Sequence, residues 1–255
     1  MISKNQIKYI QSLHSKKNRD QEGLFIIEGV KLVTEFITHE AYQVIEVFAT
    51  SEYLNKQDEL FKGREFKITE LTSEELQKIS LLTSPNQVLA IARMVTPELD
   101  ISLLNNSTTL FLDDIRDPGN LGTMIRIADW FGIKQVICSP TSTELYNPKT
   151  VQASMGAILR VSVLKMSIQD LAPHLKEIPV YGAVLTGKNI YTSSLSSGLL
   201  VIGNESNGIS AETLTYVNAP ITIPPATSNG SESLNAANAC AIICSEFHRQ
   251  LNYST

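Results

Sequence analysis

Apolar and polar positions in the first 95 residues alternate between helix-like and strand-like spacing. Isoleucine and leucine recur at helical intervals near the start, and short apolar runs bounded by glycine or polar residues have strand length. Thr72 with Glu75 has the pattern of a capping box, which opens a helix. The predicted strands are 23–29, 44–50 and 87–94, and the predicted helices are 2–14, 30–38 and 72–79. Residues 1–95 therefore predict a small α/β domain.

The remainder of the chain predicts a second α/β domain. Residues 96–108 contain Pro, Asp, Asn and Ser with little periodicity and predict a linker. Residues 109–255 contain near-continuous apolar runs separated by helical stretches, which is typical of a parallel sheet covered on both faces. The predicted strands are 109–114, 135–139, 161–165, 180–185, 199–203 and 219–223, and the terminal helix is 233–251.

Composition narrows the class of protein. Hydrophobic residues make up 43% of the chain and charged residues 18%, which is ordinary for a folded domain. No apolar run approaches the roughly 20 residues that cross a bilayer, and the first residues lack a signal-peptide pattern, so we expect a cytoplasmic protein. Cys240 and Cys244 share a helix face and are interpreted as core residues rather than a redox or metal pair. No Cys or His cluster has zinc spacing, so no metal is predicted.

The charge pattern leaves nucleic-acid binding open. The net charge of −5 is unlike the basic footprint of most nucleic-acid-binding proteins. The first 19 residues nevertheless include five basic residues and no acidic one, among them Lys16, Lys17 and Arg19. These three are candidate contacts for RNA phosphates. The alternative is a solvated helix face without a partner.

Three polar segments of the second domain follow predicted strands. Asn120 and Arg126 lie in the first segment, Glu205 in the second, and Ser233 and Asn235 at the start of the terminal helix. Each segment alone is also explained as an ordinary turn or helix start. Since ligands bind at the carboxyl ends of strands in open parallel sheets, the three together indicate a site.

The order and spacing of these segments resemble the signature motifs of the SpoU/TrmH family of RNA 2′-O-methyltransferases, which belong to the SPOUT class. The family's N-x-x-x-x-x-R matches Asn120 to Arg126, and G-N-E-x-x-G-[IL]-S matches Gly203 to Ser210. Its I-P followed by S-L-N matches Ile223-Pro224 and Ser233 to Asn235. The start of the chain resembles the L30e-like substrate-binding domain of rRNA-modifying members. The resemblance therefore covers nearly the whole chain.

This resemblance implies a fold, a cofactor and partners. The catalytic domain is expected to form a trefoil knot near its C-terminus, where S-adenosyl-L-methionine binds as methyl donor. Matching positions imply that the adenosine is held around Leu185, Gly203, Ile223 and Leu234. Family members act as homodimers with the RNA site shared between subunits, so a homodimer that binds rRNA is expected.

The implied reaction is methyl transfer to a ribose 2′-hydroxyl. By resemblance, Arg126 assists deprotonation together with an RNA phosphate, and Asn120 orients it. Because arginine normally stays protonated, phosphate binding and stabilisation of the developing alkoxide is the alternative role for Arg126. Glu205 is expected to hold the arginine or the substrate loop, and Ser233 and Asn235 to fix the hydroxyl and the donor.

Three other functions are compatible with parts of the pattern. The substrate could be tRNA, or the chain could bind rRNA without catalysis. The five polar residues retained together favour catalysis over binding alone. A nucleotide-dependent enzyme on a doubly wound sheet ranks last, because the chain lacks both the G-x-G-x-x-G fingerprint and a phosphate-binding G-x-x-x-x-G-K loop.

Overall fold

A computed structural model describes residues 2–84, 87–227 and 232–253. The chain divides into two compact units, one formed by Met1–Val95 with Tyr146–Leu159 and the other by Thr96–Leu145 with Arg160–Thr255. Residues 228–231, in the loop before Ser233, lie outside the described residues.

The helices and strands of the described residues follow one another along the chain with short connections. The helices are α1 (Lys4–Ser12), α2 (Lys16–Glu22), α3 (Val30–Thr38), α4 (Ser51–Lys56), α5 (Asp58–Phe61), α6 (Ser73–Ile79), α7 (Ile101–Asn106), α8 (Pro118–Trp130), α9 (Pro148–Ser154), α10 (Ile168–Leu171), α11 (Ala211–Leu214) and α12 (Ala236–Tyr253). The strands are β1 (Leu24–Glu28), β2 (Val44–Ala49), β3 (Lys67–Glu70), β4 (Val88–Arg93), β5 (Thr109–Leu112), β6 (Gln135–Cys138), β7 (Ser162–Lys165), β8 (Val180–Asn189), β9 (Leu199–Ile202) and β10 (Ala219–Thr222).

The first unit contains a four-stranded mixed sheet in the order β1-β4-β2-β3. Strand β4 is antiparallel to both β1 and β2, and β3 is parallel to β2. The three predicted strands and the capping box of Thr72 and Glu75 are confirmed. Strand β3 was not predicted, because it is an edge strand without a buried residue and so carries no apolar pattern.

A segment distant in sequence completes the first unit. Tyr146–Leu159, which contains α9, belongs to this unit although it follows β6 in the chain. The hydroxyl of Tyr146 accepts a hydrogen bond from Val95 N at 2.8 Å and donates one to Val95 O at 2.6 Å. Its ring packs against Phe25 with a centroid separation of 4.5 Å, so the segment is tied to the core of the unit.

The second unit contains a six-stranded sheet in the order β10-β8-β9-β5-β6-β7, and all of its neighbouring pairs are parallel. The predicted parallel α/β sheet and its six strands are confirmed. Within residues 96–108 the chain forms α7, capped by the side chain of Asp100, which the polar composition did not predict. Because all strands run the same way, their carboxyl ends meet at one edge of the sheet. The trefoil knot stays a prediction.

The pairing between strands β8 and β10 is interrupted partway along β8. Its residues pair with β10 at Tyr181–Gly182 and again at Lys188–Asn189, so residues 183–187 lie between the two paired stretches. Gly187 lies against β10 so closely that an added Cβ would be 2.4 Å from the carbonyl carbon of Ile221. Only glycine fits this approach.

No helix in the described part of the chain is long and apolar enough to cross a membrane. Cytoplasmic localisation stays a prediction.

Candidate active site

The first turn of α8 places Asn120 at the carboxyl edge of the sheet. Strand β5 ends at Leu112, and Asp117 caps α8 by accepting a hydrogen bond from Asn120 N at 2.7 Å. Pro118 occupies the first helical position, where its missing N–H costs no hydrogen bond. The cap and the proline fix the orientation of the first turn.

A tight turn after β9 carries Glu205. Asn204 and Gly208 exchange backbone hydrogen bonds of 2.8 and 2.9 Å, and Asn204 Oδ1 accepts from the N–H groups of Ser206 and Asn207. Gly208 has a φ of 68°, which glycine adopts without strain. The turn therefore holds Glu205 at its tip, just beyond the strand.

The start of α12 brings in Asn235. Its Oδ1 accepts hydrogen bonds from Ala237 N at 3.0 Å and Asn238 N at 3.2 Å, which is the geometry of an N-cap. Because the oxygen is used by the helix, the amide Nδ2 points away from it and is available to the other segments.

Three side chains from these three segments form a closed hydrogen-bonded triangle. Asn120 Nδ2 donates to Glu205 Oε2 at 3.1 Å, and Asn235 Nδ2 donates to Glu205 Oε1 at 2.9 Å and to Asn120 Oδ1 at 3.1 Å. Both carboxylate oxygens of Glu205 therefore accept an amide donor. Residues 120, 205 and 235 are far apart in sequence, so the triangle exists only because the sheet brings their loops together.

Two acidic residues after β5 tie the neighbouring loops to each other. Buried Asp113 accepts from Ser210 N at 2.8 Å. Asp114 has a φ of 55°, and its N–H donates to Ser139 Oγ at 2.9 Å while its carbonyl accepts from Asn204 Nδ2 at 2.8 Å. Sequence reasoning assigned no role to this network. The signal was the pair of acids at a strand end, but their partners depend on strand order.

The structure does not bring Arg126 into the triangle. Six residues of helix place its Cα about 9 Å along the axis from Asn120 and on a face roughly 120° away. Arg126 is exposed and has no hydrogen bond or ion pair with any described residue. Ser233 is likewise exposed, with no hydrogen bond to the described part of the chain. Two of the five predicted catalytic residues are therefore not joined to the other three.

Three of the expected cofactor positions lie beyond paired stretches of three adjacent strands. Leu185, Gly203 and Ile223 follow the paired parts of β8, β9 and β10, which are neighbours in the sheet. Thr222 Oγ1 donates to the carbonyl of Leu185 at 3.3 Å. Leu234 precedes Asn235 of the triangle.

Their surroundings fit an adenosine group. Leu185 is 73% exposed and Leu234 46% exposed, which is unusual for leucine and leaves two apolar surfaces open to a base. The backbone groups of Gly203 and Ile223 make no hydrogen bond to described residues, so their donors and acceptors are available to a ligand. A purine base and a ribose need this combination of apolar faces and backbone hydrogen bonds.

A cleft of about 230 Å³ adjoins the triangle. It is lined by Ile115, Arg116, Asp117, Asn120, Asn204, Glu205, Ser206, Asn207 and Ala236. The described residues contain no group of three or more His, Cys, Asp and Glu side chains that could hold a metal ion.

The cysteines lie outside this cleft and are buried. Burial raises the pKa of the Cys138 thiol to about 12. The hydrogen bond with Cys240, whose sulfur is 3.9 Å away, together with burial raises the pKa of Cys244. Neither thiol is ionised at neutral pH, so neither is a nucleophile there.

The predicted RNA-contacting cations of the first unit differ from one another. Lys16 and Lys17 are exposed, and Lys16 pairs with Asp20 at 2.7 Å. Arg19 is only 1% exposed, and its Nη1 donates to the carbonyls of Leu13 and His14, both at 2.8 Å. Arg19 as a surface RNA contact is therefore corrected: its guanidinium closes the end of α1 and is not available to a phosphate.

Known proteins resemble the chain over its whole length. Residues 107–245 match the SpoU rRNA Methylase family, and residues 4–90 match the MRM3-like substrate binding domain. The 23S rRNA (guanosine(2553)-2′-O)-methyltransferase RlmP of Bacillus subtilis is 28% identical over 246 residues, covering 94% of this chain and 95% of that protein.

Solved structures of related proteins also match nearly the whole chain. A TrmH-family protein from Porphyromonas gingivalis has a TM-score of 0.87 and 37% identity, covering 98% of this chain and 99% of that one. An AdoMet-bound rRNA methyltransferase from Sinorhizobium meliloti has a TM-score of 0.86 and 26% identity, covering 100% and 97%.

Fold and site define the class: an α/β protein with a parallel sheet, a polar cleft at its carboxyl edge and a substrate-binding domain ahead of it. The chain belongs to the SpoU rRNA Methylase family. The resemblance seen in the three motifs and the predicted substrate-binding domain are thereby confirmed.

Proposed function

We propose that the chain transfers a methyl group from S-adenosylmethionine to a ribose 2′-hydroxyl of rRNA. The observation that carries this proposal is the triangle of Asn120, Glu205 and Asn235, because it assembles one residue from each family motif at the carboxyl edge of the sheet. The names of the rRNA methyltransferases that match nearly the whole chain support rRNA as the substrate.

The donor supplies an electrophilic methyl group when bound. Gly203 and Ile223 would hold its adenosine through backbone groups, and Leu185 and Leu234 would cover the base. The unpaired backbone groups of Gly203 and Ile223, just after β9 and β10, and the exposure of Leu185 and Leu234 support this assignment.

The triangle positions the reacting groups rather than removing a proton. Both oxygens of Glu205 accept amide hydrogens, so this carboxylate fixes the two asparagine side chains. Asn120 and Asn235 thereby keep defined orientations. Asn120 lines the cleft, and the second hydrogen of its Nδ2 would face the ribose, whereas both amide hydrogens of Asn235 are used within the triangle. Holding the hydroxyl in one geometry contributes to the rate because reacting groups no longer search for alignment.

Arg126 would contact the phosphate next to the target ribose and stabilise the developing alkoxide. Its exposed guanidinium has no hydrogen bond or ion pair to the described residues, and arginine binds phosphate with paired hydrogen bonds. Ser233 would add a hydroxyl at the start of α12. Because Arg126 and Ser233 stand apart from the triangle, we propose that a homodimer completes the site. Lys16 and Lys17 of the first unit would contact RNA phosphates elsewhere.

Methyl transfer to isolated rRNA tests the proposal. The purified protein is incubated with methyl-labelled S-adenosylmethionine and rRNA from cells that lack its gene, and the RNA is digested to nucleosides. We expect the label in a 2′-O-methylated nucleoside. Label on a base, or label in tRNA but not in rRNA when both are offered, contradicts the assignment.

A further inference from the structure

A second arginine lines the cleft beside the triangle. Arg116 is 71% exposed at its side chain, and its Nε lies 3.1 Å from both carboxylate oxygens of Asp114. The terminal nitrogens of its guanidinium have no hydrogen bond to a described residue. The side chain is therefore held at one end and presents its two-pronged end to solvent at the cleft.

The anchor of this arginine is itself rigid. Asp114 has a left-handed backbone with a φ of 55°, which is uncommon for residues other than glycine and persists where the surroundings determine it. Its N–H is bound by Ser139 and its carbonyl by Asn204, so both backbone groups are fixed. The Asp114 carboxylate is 16% exposed, and an anchor fixed in this way limits the directions in which Arg116 can point.

The other charged side chains at the cleft are already engaged. Glu205 accepts two amide donors, and Asp117 caps α8 through Asn120 N. Among the described residues that line the cleft, Arg116 is the cation, and its terminal N–H groups are donors without an acceptor. An anion is the ligand that this arrangement fits.

The substrate supplies such an anion. A ribose inside an RNA chain carries a phosphate on both its 5′ and its 3′ side, so the target hydroxyl cannot enter the cleft without a phosphate on each side. Arg126 accounts for one of them. We propose that Arg116 is a substrate-binding residue that grips a backbone phosphate of the target RNA, and that Asp114 is the positioning residue that aims it. This inference rests on the proposed function.

A contact between Arg116 and a phosphate should contribute measurably to the affinity for RNA. The chain has a net charge of −5, so the RNA is not attracted by the protein as a whole and depends on cations at particular places. Each phosphate neutralised on a single strand contributes about 0.7 to the slope of log affinity against log salt concentration. Loss of one such contact is therefore measurable apart from any change in folding.

The test compares Arg116→Ala, Arg116→Lys and Asp114→Asn with wild type on rRNA from cells lacking the gene, over a series of KCl concentrations. For Arg116→Ala we expect kcat/KM to fall about tenfold through KM and the salt slope to fall by about 0.7. Arg116→Lys keeps the slope but not the full affinity, because lysine lacks the fork. Asp114→Asn keeps the slope and raises KM less than Arg116→Ala, since asparagine tolerates the left-handed backbone but no longer anchors the guanidinium.

The matched control is Arg249→Ala, an exposed arginine paired with Glu246 on α12 that does not line the cleft. It should leave KM and salt slope unchanged. If wild type is active and Arg116→Ala keeps the wild-type KM and salt slope, this inference is overturned and the proposed function stands. The same holds if Arg116→Ala binds S-adenosylmethionine more weakly by calorimetry but has unchanged kinetics with RNA. Wild type without any methyl transfer instead overturns the proposed function, and this inference with it.

Discussion

Asn235 Nδ2 lies 2.9 Å from Glu205 Oε1, which joins the start of α12 to the turn after β9. The same amide also donates to Asn120 Oδ1, so the cap of one helix and the first turn of another are locked to one carboxylate. This single carboxylate is the junction of the three family motifs, and its removal should separate them.

Glu205→Gln tests that junction. Glutamine has one acceptor oxygen where glutamate has two, so either Asn120 or Asn235 loses its partner and faces an amide donor. Since Glu205 is exposed, we expect the melting temperature to shift by no more than about 2 °C. Turnover at saturating substrates should fall about tenfold or more, as measured by methyl incorporation.

The control for this variant is Glu212→Gln, which removes another exposed carboxylate on nearby α11 without touching the triangle. It should behave as wild type. Equal turnover in Glu205→Gln and Glu212→Gln would mean that the carboxylate does not position the site.

Asn235 has two separable tasks, capping α12 and completing the triangle. Asn235→Asp keeps an oxygen for the N–H groups of Ala237 and Asn238 but puts a second carboxylate beside Glu205. Asn235→Ala loses the cap as well, which costs about 1 kcal/mol of unfolding free energy. We expect both variants to lose activity and only Asn235→Ala to lose that much stability in urea unfolding. Full activity in the capped Asp variant would show that only the helix cap matters.

Sequence patterns predicted the parts of the fold whose residues are buried on both sides. The strands of the parallel sheet are continuous apolar runs, so their positions were visible, as in β5 and β9. Strand β3 and helix α2 are mostly exposed and carry polar residues, so periodicity did not reveal them. The return of Tyr146–Leu159 to the first unit depends on packing against Phe25, which no local pattern encodes.

The motifs predicted which residues belong to the candidate site, but not where the fold places each of them. Asn120 and Glu205 follow the adjacent strands β5 and β9, and Asn235 meets them from the start of α12. Arg126 does not join them, because its position on α8 is set by helical rotation rather than by its place in the motif. Arg19 belongs to a basic cluster in sequence, but its burial is decided by the carbonyls at the end of α1.

Arg126→Ala should lower turnover without lowering stability. The side chain contacts no described residue through a hydrogen bond or ion pair, so we expect its loss to leave the melting temperature unchanged. Turnover with bound donor should fall by about a hundredfold, the scale for losing a group that stabilises developing negative charge. Single-turnover methyl transfer measures this, with Arg249→Ala as the control for removal of an exposed arginine. Near-normal turnover in Arg126→Ala would remove it from the catalytic set.

Glu246 on α12 should contribute to acid stability. Hydrogen bonds from Arg249 and then Gln250 lower the pKa of Glu246 from 4.5 to about 2. A lowered folded-state pKa stabilises the fold above the unfolded pKa, and this contribution is lost as the pH falls from about 4.5 to about 2. The difference in unfolding free energy between wild type and Glu246→Gln should therefore shrink over that range in urea titrations. A difference that does not change with pH would contradict the ion pair.

Mapping of 2′-O-methylation on total RNA, with and without the gene, tests the central claim most directly. A 2′-O-methylated nucleotide resists alkaline cleavage because its blocked oxygen cannot attack the adjacent phosphate, so each mark is seen as a protected position. We predict that deletion removes protection at an rRNA position, that wild type restores it, and that Arg126→Ala does not. An rRNA protection pattern unchanged by deletion, or a mark lost only from tRNA, would contradict the account.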